Sequence, residues 1–113
     1  MARDVFLQII CAILERQGWV ITHDPLKFHI GQNDVTDTLG IELIAAEQSE
    51  QKIAFFLEPF FGNSEITDFY TALGKFAQVR SILSRQEPAR KLFLAIPESI
   101  FAKMFQLNLY KFH

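Results

Sequence analysis

The sequence predicts a mixed α/β domain in which helices cover both faces of one sheet. Three observations predict it. The run Lys52 to Phe60 is apolar on both sides, Ile53, Phe55 and Leu57 alternating with Ala54, Phe56 and Phe60, which is the pattern of a strand in the middle of a covered sheet. A long amphipathic helical pattern follows it and ends at Pro88, and a further hydrophobic strand, Lys91 to Ile96, comes next. Strand, helix, strand in that order is the crossover between parallel strands. Helical periodicity near the start of the chain supplies a second layer.

Taken in order, Val5 to Arg16 reads as a helix, with Phe6, Ile9, Ile10, Ile13 and Leu14 at three- and four-residue spacing. Asp4 precedes it as an N-cap and Gly18 follows it as a stop. Trp19 to Thr22 is β-branched and aromatic, a short strand, and His23-Asp24-Pro25 is turn chemistry. Leu26 to Ile30 reads as a second short strand and Gly31 to Asp34 as another turn. Leu39 to Glu47 and Lys52 to Phe60 are longer strands joined by the polar Gln48-Ser49-Glu50-Gln51, a hairpin. Pro59 cannot donate to a ladder and weakens pairing there.

Ser64 then caps the long helix, with Glu65 and Asp68 in its first turn, where the dipole favours acids. Its apolar stripe is Ile66, Phe69, Tyr70, Leu73, Phe76, Ala77 and Leu83. After the strand Lys91 to Ile96, Ser99 to Leu107 is a last amphipathic helix carrying Phe101, Met104 and Phe105. The expected order is α-β-β-β-β-α-β-α.

The 113 residues suit one domain, 1–113. Half of them are hydrophobic and 21% are charged, with a net charge of −2, which excludes a disordered chain. No stretch is long and apolar enough for a membrane span, and no secretory signal opens the chain. The single cysteine, Cys11, forbids an internal disulfide, fits a cytoplasmic setting and rules out cysteine-built zinc sites. Against 11 basic groups stand 13 acidic ones, so strong non-specific DNA binding is disfavoured. Twelve phenylalanines ask for more burial than a small monomer readily provides.

Few residues suggest chemistry directly. The five glycines are scattered singly, so no loop cradles a phosphate. His23, His29 and His113 are isolated and read as turn, strand and tail residues. Cys11 lies among Ile9, Ile10 and Ile13 and reads as an inert core thiol. Glu47, Glu50 and Glu65 read as solvated.

Four blocks nevertheless resemble a known family: Gly18-Trp19-Val20-Ile21-Thr22-His23-Asp24-Pro25; Leu43-Ile44-Ala45-Ala46-Glu47 with Gln51-Lys52-Ile53-Ala54; Phe61-Gly62-Asn63-Ser64-Glu65-Ile66-Thr67-Asp68-Phe69-Tyr70 with Ala72-Leu73-Gly74; and Leu92-Phe93-Leu94-Ala95-Ile96-Pro97. In this order they resemble XisH, the fdxN element excision controlling factors of filamentous cyanobacteria. The family is similar to the PD-(D/E)xK nucleases, so the resemblance implies a restriction-endonuclease-like αβββαβ core, helices on both faces. It also implies a part in controlling the recombinase that excises a DNA element during heterocyst differentiation, with an XisI-type companion as partner. In such nucleases an Asp at one hairpin strand and a Glu-x-Lys on the next hold a divalent metal and support the attacking water.

This sequence departs from that pattern where the chemistry would be. The Glu-x-Lys positions fall on Phe56 and Glu58, and Asp37 matches the first acid unless Thr38 takes its place. The Gln-x-x-x-Tyr of the long helix reads Lys75 and Val79, and polar positions of the first helix read Leu7 and Cys11. Several such losses on one cavity imply a filled, inactive site: no catalytic residue, no cofactor, no metal. The alternative is a metal-dependent DNA nuclease with a rearranged site, Asp37 and Glu58 holding Mg²⁺ or Mn²⁺. Under the first reading the protein acts by contact, with weak or indirect DNA association. Family members continue past the last helix, so the chain reads as truncated at its C-terminus. Phe101, Phe105, Leu109 and Phe112 then form an apolar tail that a homodimer or an XisI-type partner would cover.

Overall fold

The computed structural model describes residues 5–58 and 65–96. Helix α1, Val5–Arg16, has the bounds the periodicity predicts, but it turns a different face inward. Leu7 and Cys11 are buried and Ile10 and Leu14 flank them, while Phe6, Ile9 and Ile13 are exposed. A helix that is apolar nearly all round has two candidate stripes, and the sheet decides which one is covered.

The helix stops at Gly18, whose φ of 92° is left-handed; the Trp19 amide closes the end by donating to the Leu14 carbonyl at 2.9 Å. The Gln48 amide donates to the Gln17 carbonyl at 2.7 Å, so closely that a Cβ on residue 18 would lie 2.8 Å from Gln48 Nε2. Gly18→Ala is therefore expected to lose about 1–2 kcal/mol from the backbone conformation alone. Urea denaturation measures it, and a loss too small to resolve would mean that the turn relaxes freely.

Strand β1, Val20–His23, pairs antiparallel with β4, Ile44–Gln48, through a bulge between Ile21 and His23. Between them runs a small hairpin, β2 (His29–Ile30) with β3 (Asn33–Asp34), and then a short helix, α2 (Val35–Leu39). Three expectations change here. Only His29 and Ile30 of the span Leu26 to Ile30 are strand, although Leu26 and Phe28 are buried. Asn33 and Asp34, expected in a turn, are paired. The span Leu39 to Glu47 is strand only from Ile44. The reason is local: Asp34 caps α2 and Gly40, at φ 67°, ends it, a cap-to-cap turn that outcompetes extended backbone.

The predicted hairpin of β4 with β5, Gln51–Leu57, forms in register from Ile44↔Phe55 to Gln48↔Gln51; Gln48 and Gln51, expected in the loop, are paired, which leaves Ser49-Glu50 as the turn. Helix α3, Glu65–Gln86, leads to β6, Arg90–Ala95, which pairs parallel with β5 from Lys52↔Arg90 to Leu57↔Ala95. The main sheet runs β1-β4-β5-β6, a mixed sheet of the predicted class.

The alternation of β5 sorts the core into two clusters. Phe55 packs with Leu7, Cys11 and Ile44 beneath α1. Ala54 and Phe56 pack with Leu43, Val79 and Leu83 beneath α3, joined by Leu26, Phe28 and Val35. Helix α3 buries Ala72, Val79 and Leu83 and leaves Ile66, Tyr70, Leu73 and Ala77 exposed. The stripe expected from bulk is thus displaced, because small Ala72 fits close against the sheet and larger Tyr70 does not. Asp4, Pro59, Phe60, Ser64, the helix Ser99 to Leu107, and the tail residues Phe101, Phe105, Leu109 and Phe112 lie outside the described residues.

Candidate functional site

The end of β5 places Phe56 and Glu58 on the α3 side of the sheet, two residues apart and therefore on one face. Phe56 is wholly buried. Glu58 is only 7% exposed, and its Oε1 accepts from Lys75 Nζ of α3 at 2.7 Å. The second carboxylate oxygen, Oε2, is buried without a hydrogen-bond partner among the described residues. An ammonium opposite a carboxylate at this distance forms a strong charge-assisted bond, and the half-buried Lys75 offsets the cost of burying Glu58.

Asp37 lies in a different environment. It sits on α2, its side chain is 69% exposed, and its carboxylate pairs with Lys27 at 3.3 Å. Asp37 raises the Lys27 pKa, first by hydrogen bonding and then by its charge. Thr38, the other candidate for the first acid, donates to the Asp34 carbonyl within the same turn at 2.9 Å. The described partners of Asp37 and Glu58 therefore differ, and no group of three or more His, Cys, Asp or Glu is placed to hold a metal ion among the described residues.

Leu7 and Cys11 do not fill the same space as Phe56: they lie under α1, on the opposite face of the sheet. The departures from the nuclease pattern are thus divided between the two faces. Val79 does pack in the cluster with Phe56.

Two sets of polar contacts were not legible in the sequence. Arg90, its side chain 2% exposed, donates to the Ile53 carbonyl at 3.1 Å and pairs with Glu87 at 3.1 Å and Glu47 at 3.5 Å. It ties β6 to β4, and Glu47 is no freely solvated acid. The register Lys52↔Arg90 brings this end of β6 to the Glu47 end of β4, and no signal in the sequence marks it. Second, Asp34 accepts from the Thr36 hydroxyl at 2.6 Å and from the Asp37 amide at 3.1 Å.

The Thr36 hydroxyl above all, then the Asp37 amide and the charges of Lys27 and His29, hold the Asp34 carboxyl at about 2 against an ordinary 3.8, with burial opposing them. A carboxyl depressed in the folded state contributes stability that is complete above the unfolded value and is lost as pH falls through the folded one. Acid titration of stability between pH about 4 and about 2 should therefore show a component that Asp34→Asn lacks. Identical slopes in the two proteins would refute it.

Comparison with known proteins bears on the whole chain. Residues 1–113 match the XisH protein family. The chain belongs to the XisH family. Two solved structures are similar to it. One is an XisH family protein from Nostoc punctiforme PCC 73102, 40% identical, with a TM-score of 0.77 over 91% of this chain and 77% of that one. The other is a fdxN element excision controlling factor protein from Anabaena variabilis, also 40% identical, with a TM-score of 0.79 over 96% of this chain and 81% of that one. No curated protein matches the chain. Among the described residues of this XisH protein, no helix is long and apolar enough to cross a membrane.

Proposed function

We propose that this XisH protein is a non-catalytic controlling factor in the excision of a DNA element, acting by contact on a nuclease-like scaffold. The observation that carries this reading is Phe56, a ring wholly buried where the nuclease pattern needs an acid. A phenyl group offers no electron pair to a metal ion, and the volume that a hydrated ion would need is occupied by the ring. Glu58, at the lysine position, already shares one oxygen with Lys75. Asp37 faces Lys27 instead of Glu58. The order α1, β1, β4, β5, α3, β6 supports the αβββαβ scaffold. The family name and the Anabaena relative support the role in excision control.

An XisI-type companion is the proposed partner, with self-association into a homodimer as the other mode of assembly, and with DNA bound weakly or through the partner. Calorimetric titration with Mg²⁺ or Mn²⁺ should give no saturable binding, and duplex DNA incubated with the protein and Mn²⁺ should remain intact. Nicking that requires the metal and disappears in Asp37→Ala or Glu58→Ala would establish the nuclease reading instead.

A further inference from the structure

Among the described residues the main sheet ends at β6, and no strand pairs with its outer edge. Unpaired peptide groups along a strand edge form a template for another chain. Three hollows, of about 350, 280 and 340 Å³, meet at this edge, and Phe93, half exposed, lines all of them.

The hollow on the α3 side has a floor of Phe76, Leu83 and Leu92 and carries Arg80 and Lys91. The one on the α1 side, formed by Ile10, Leu14, Phe55 and Ala95, contains no charged residue. The third, near the start of β6, combines Trp19 and Ile53 with Lys52, Lys91 and Glu50. Charge is therefore confined to one end of the edge and is predominantly positive there. Arg80 stacks over the Phe76 ring at 5.8 Å, and neither Arg80 nor Lys91 pairs with a carboxylate among the described residues. In a protein with net charge −2, that is a local reversal of sign.

We propose that the free edge of β6 binds an extended segment of a partner protein as an added strand, with acidic residues beside Arg80 and Lys91 and apolar residues along the remainder. Successive side chains of a strand point to opposite faces. One set of the guest's side chains would enter the hollow under α3 and the alternate set the hollow beside α1. Main-chain hydrogen bonds would supply affinity, while the hollows and the cationic end would supply selectivity and direction. The six residues of β6 span roughly 20 Å, the reach of a short peptide. Among the described residues nothing pairs with this edge, and the proposal does not depend on whether Glu58 takes part in chemistry, so it goes beyond the reading of that site.

The test uses the full chain and fluorescein-labelled peptides of alternating valine and threonine, ended by a glutamate pair, ended by a lysine pair, or interrupted by adjacent prolines. Fluorescence anisotropy should show the glutamate peptide binding at least roughly tenfold more tightly than the lysine peptide, and the proline peptide not binding. Arg80→Glu combined with Lys91→Glu, both surface changes, should invert the charge preference. Hydrogen exchange of the β6 amides that face away from β5 should slow when the glutamate peptide is added. The proposal is overturned if the proline peptide binds equally well or if the reversed charges leave the preference unchanged. It is overturned equally if the outward-facing β6 amides, those not bonded to β5, are already protected in the free protein, or are protected by a DNA duplex and not by the peptide.

Discussion

Replacing Phe56 by alanine is expected to cost about 4 kcal/mol of folding stability. The ring is fully buried and packs in the cluster that joins Leu43 of the segment before β4 to Val79 and Leu83 of α3. Removing it deletes most of a large side chain from the centre of three elements, and a covered sheet cannot close the space. Phe56→Leu should cost much less, about 1 kcal/mol, because most of the volume stays. Urea or thermal unfolding of the two variants decides the matter. A domain of this size has a total stability of about 5–15 kcal/mol, so Phe56→Ala should keep about 1–11 kcal/mol and sit near the unfolding threshold only if the parent lies at the low end of that range. If instead Phe56→Ala matched Phe56→Leu, the ring would not be the packing centre. The same experiment bears on function: opening the space restores no ligand atom, so Mn²⁺ should confer no cleavage activity on either variant.

Lys75→Met should be nearly as damaging, at about 3 kcal/mol, because it leaves the Glu58 carboxylate buried without its cation. Glu58 Oε2 already lacks a partner among the described residues, so Oε1 would lose the ammonium that makes the burial tolerable. Glu58→Leu with Lys75→Met together should recover most of that loss, since a buried ion pair contributes little net stability over apolar residues of similar size. A double-mutant cycle followed by urea denaturation measures the coupling. Additive losses would mean that the two side chains do not depend on each other. Strong coupling would show that Glu58 and Lys75 are held as one pair, the strand end supplying the acid and the helix the base.

Much of the fold was legible because it follows from local periodicity. Helix α1 and the hairpin of β4 with β5 are written in residue spacing and in the polar turn between the strands. The two-sided apolar pattern of β5 announced a central strand, and the chain order β5, α3, β6 announced a parallel pair. The candidate site was partly legible too. Phe56 and the glutamate two residues later are visible in one dimension, while their match to the acid and lysine positions is what the resemblance to nucleases implies.

Tertiary structure decided the remainder, in each case because the deciding atoms belong to elements far apart in the chain. Which stripe of α1 is buried depended on the sheet, since both stripes are apolar and only Leu7 and Cys11 face Ile44 and Phe55. The inward face of α3 depended on how near the helix lies, which favours Ala72 over Tyr70. The resemblance to nucleases groups Asp37 with Glu58, yet the capped turn of α2 directs one to Lys27, while the end of β5 buries the other beside Lys75. Arg90 looks like any surface base in the sequence. The parallel register of β5 with β6 buries it between Glu47 and Glu87, because a guanidinium is kept inside only where carboxylates and a carbonyl meet its donors. Spacing along a chain specifies which residues share a face. Which of them are buried, and with what partners, is set when distant faces are brought together.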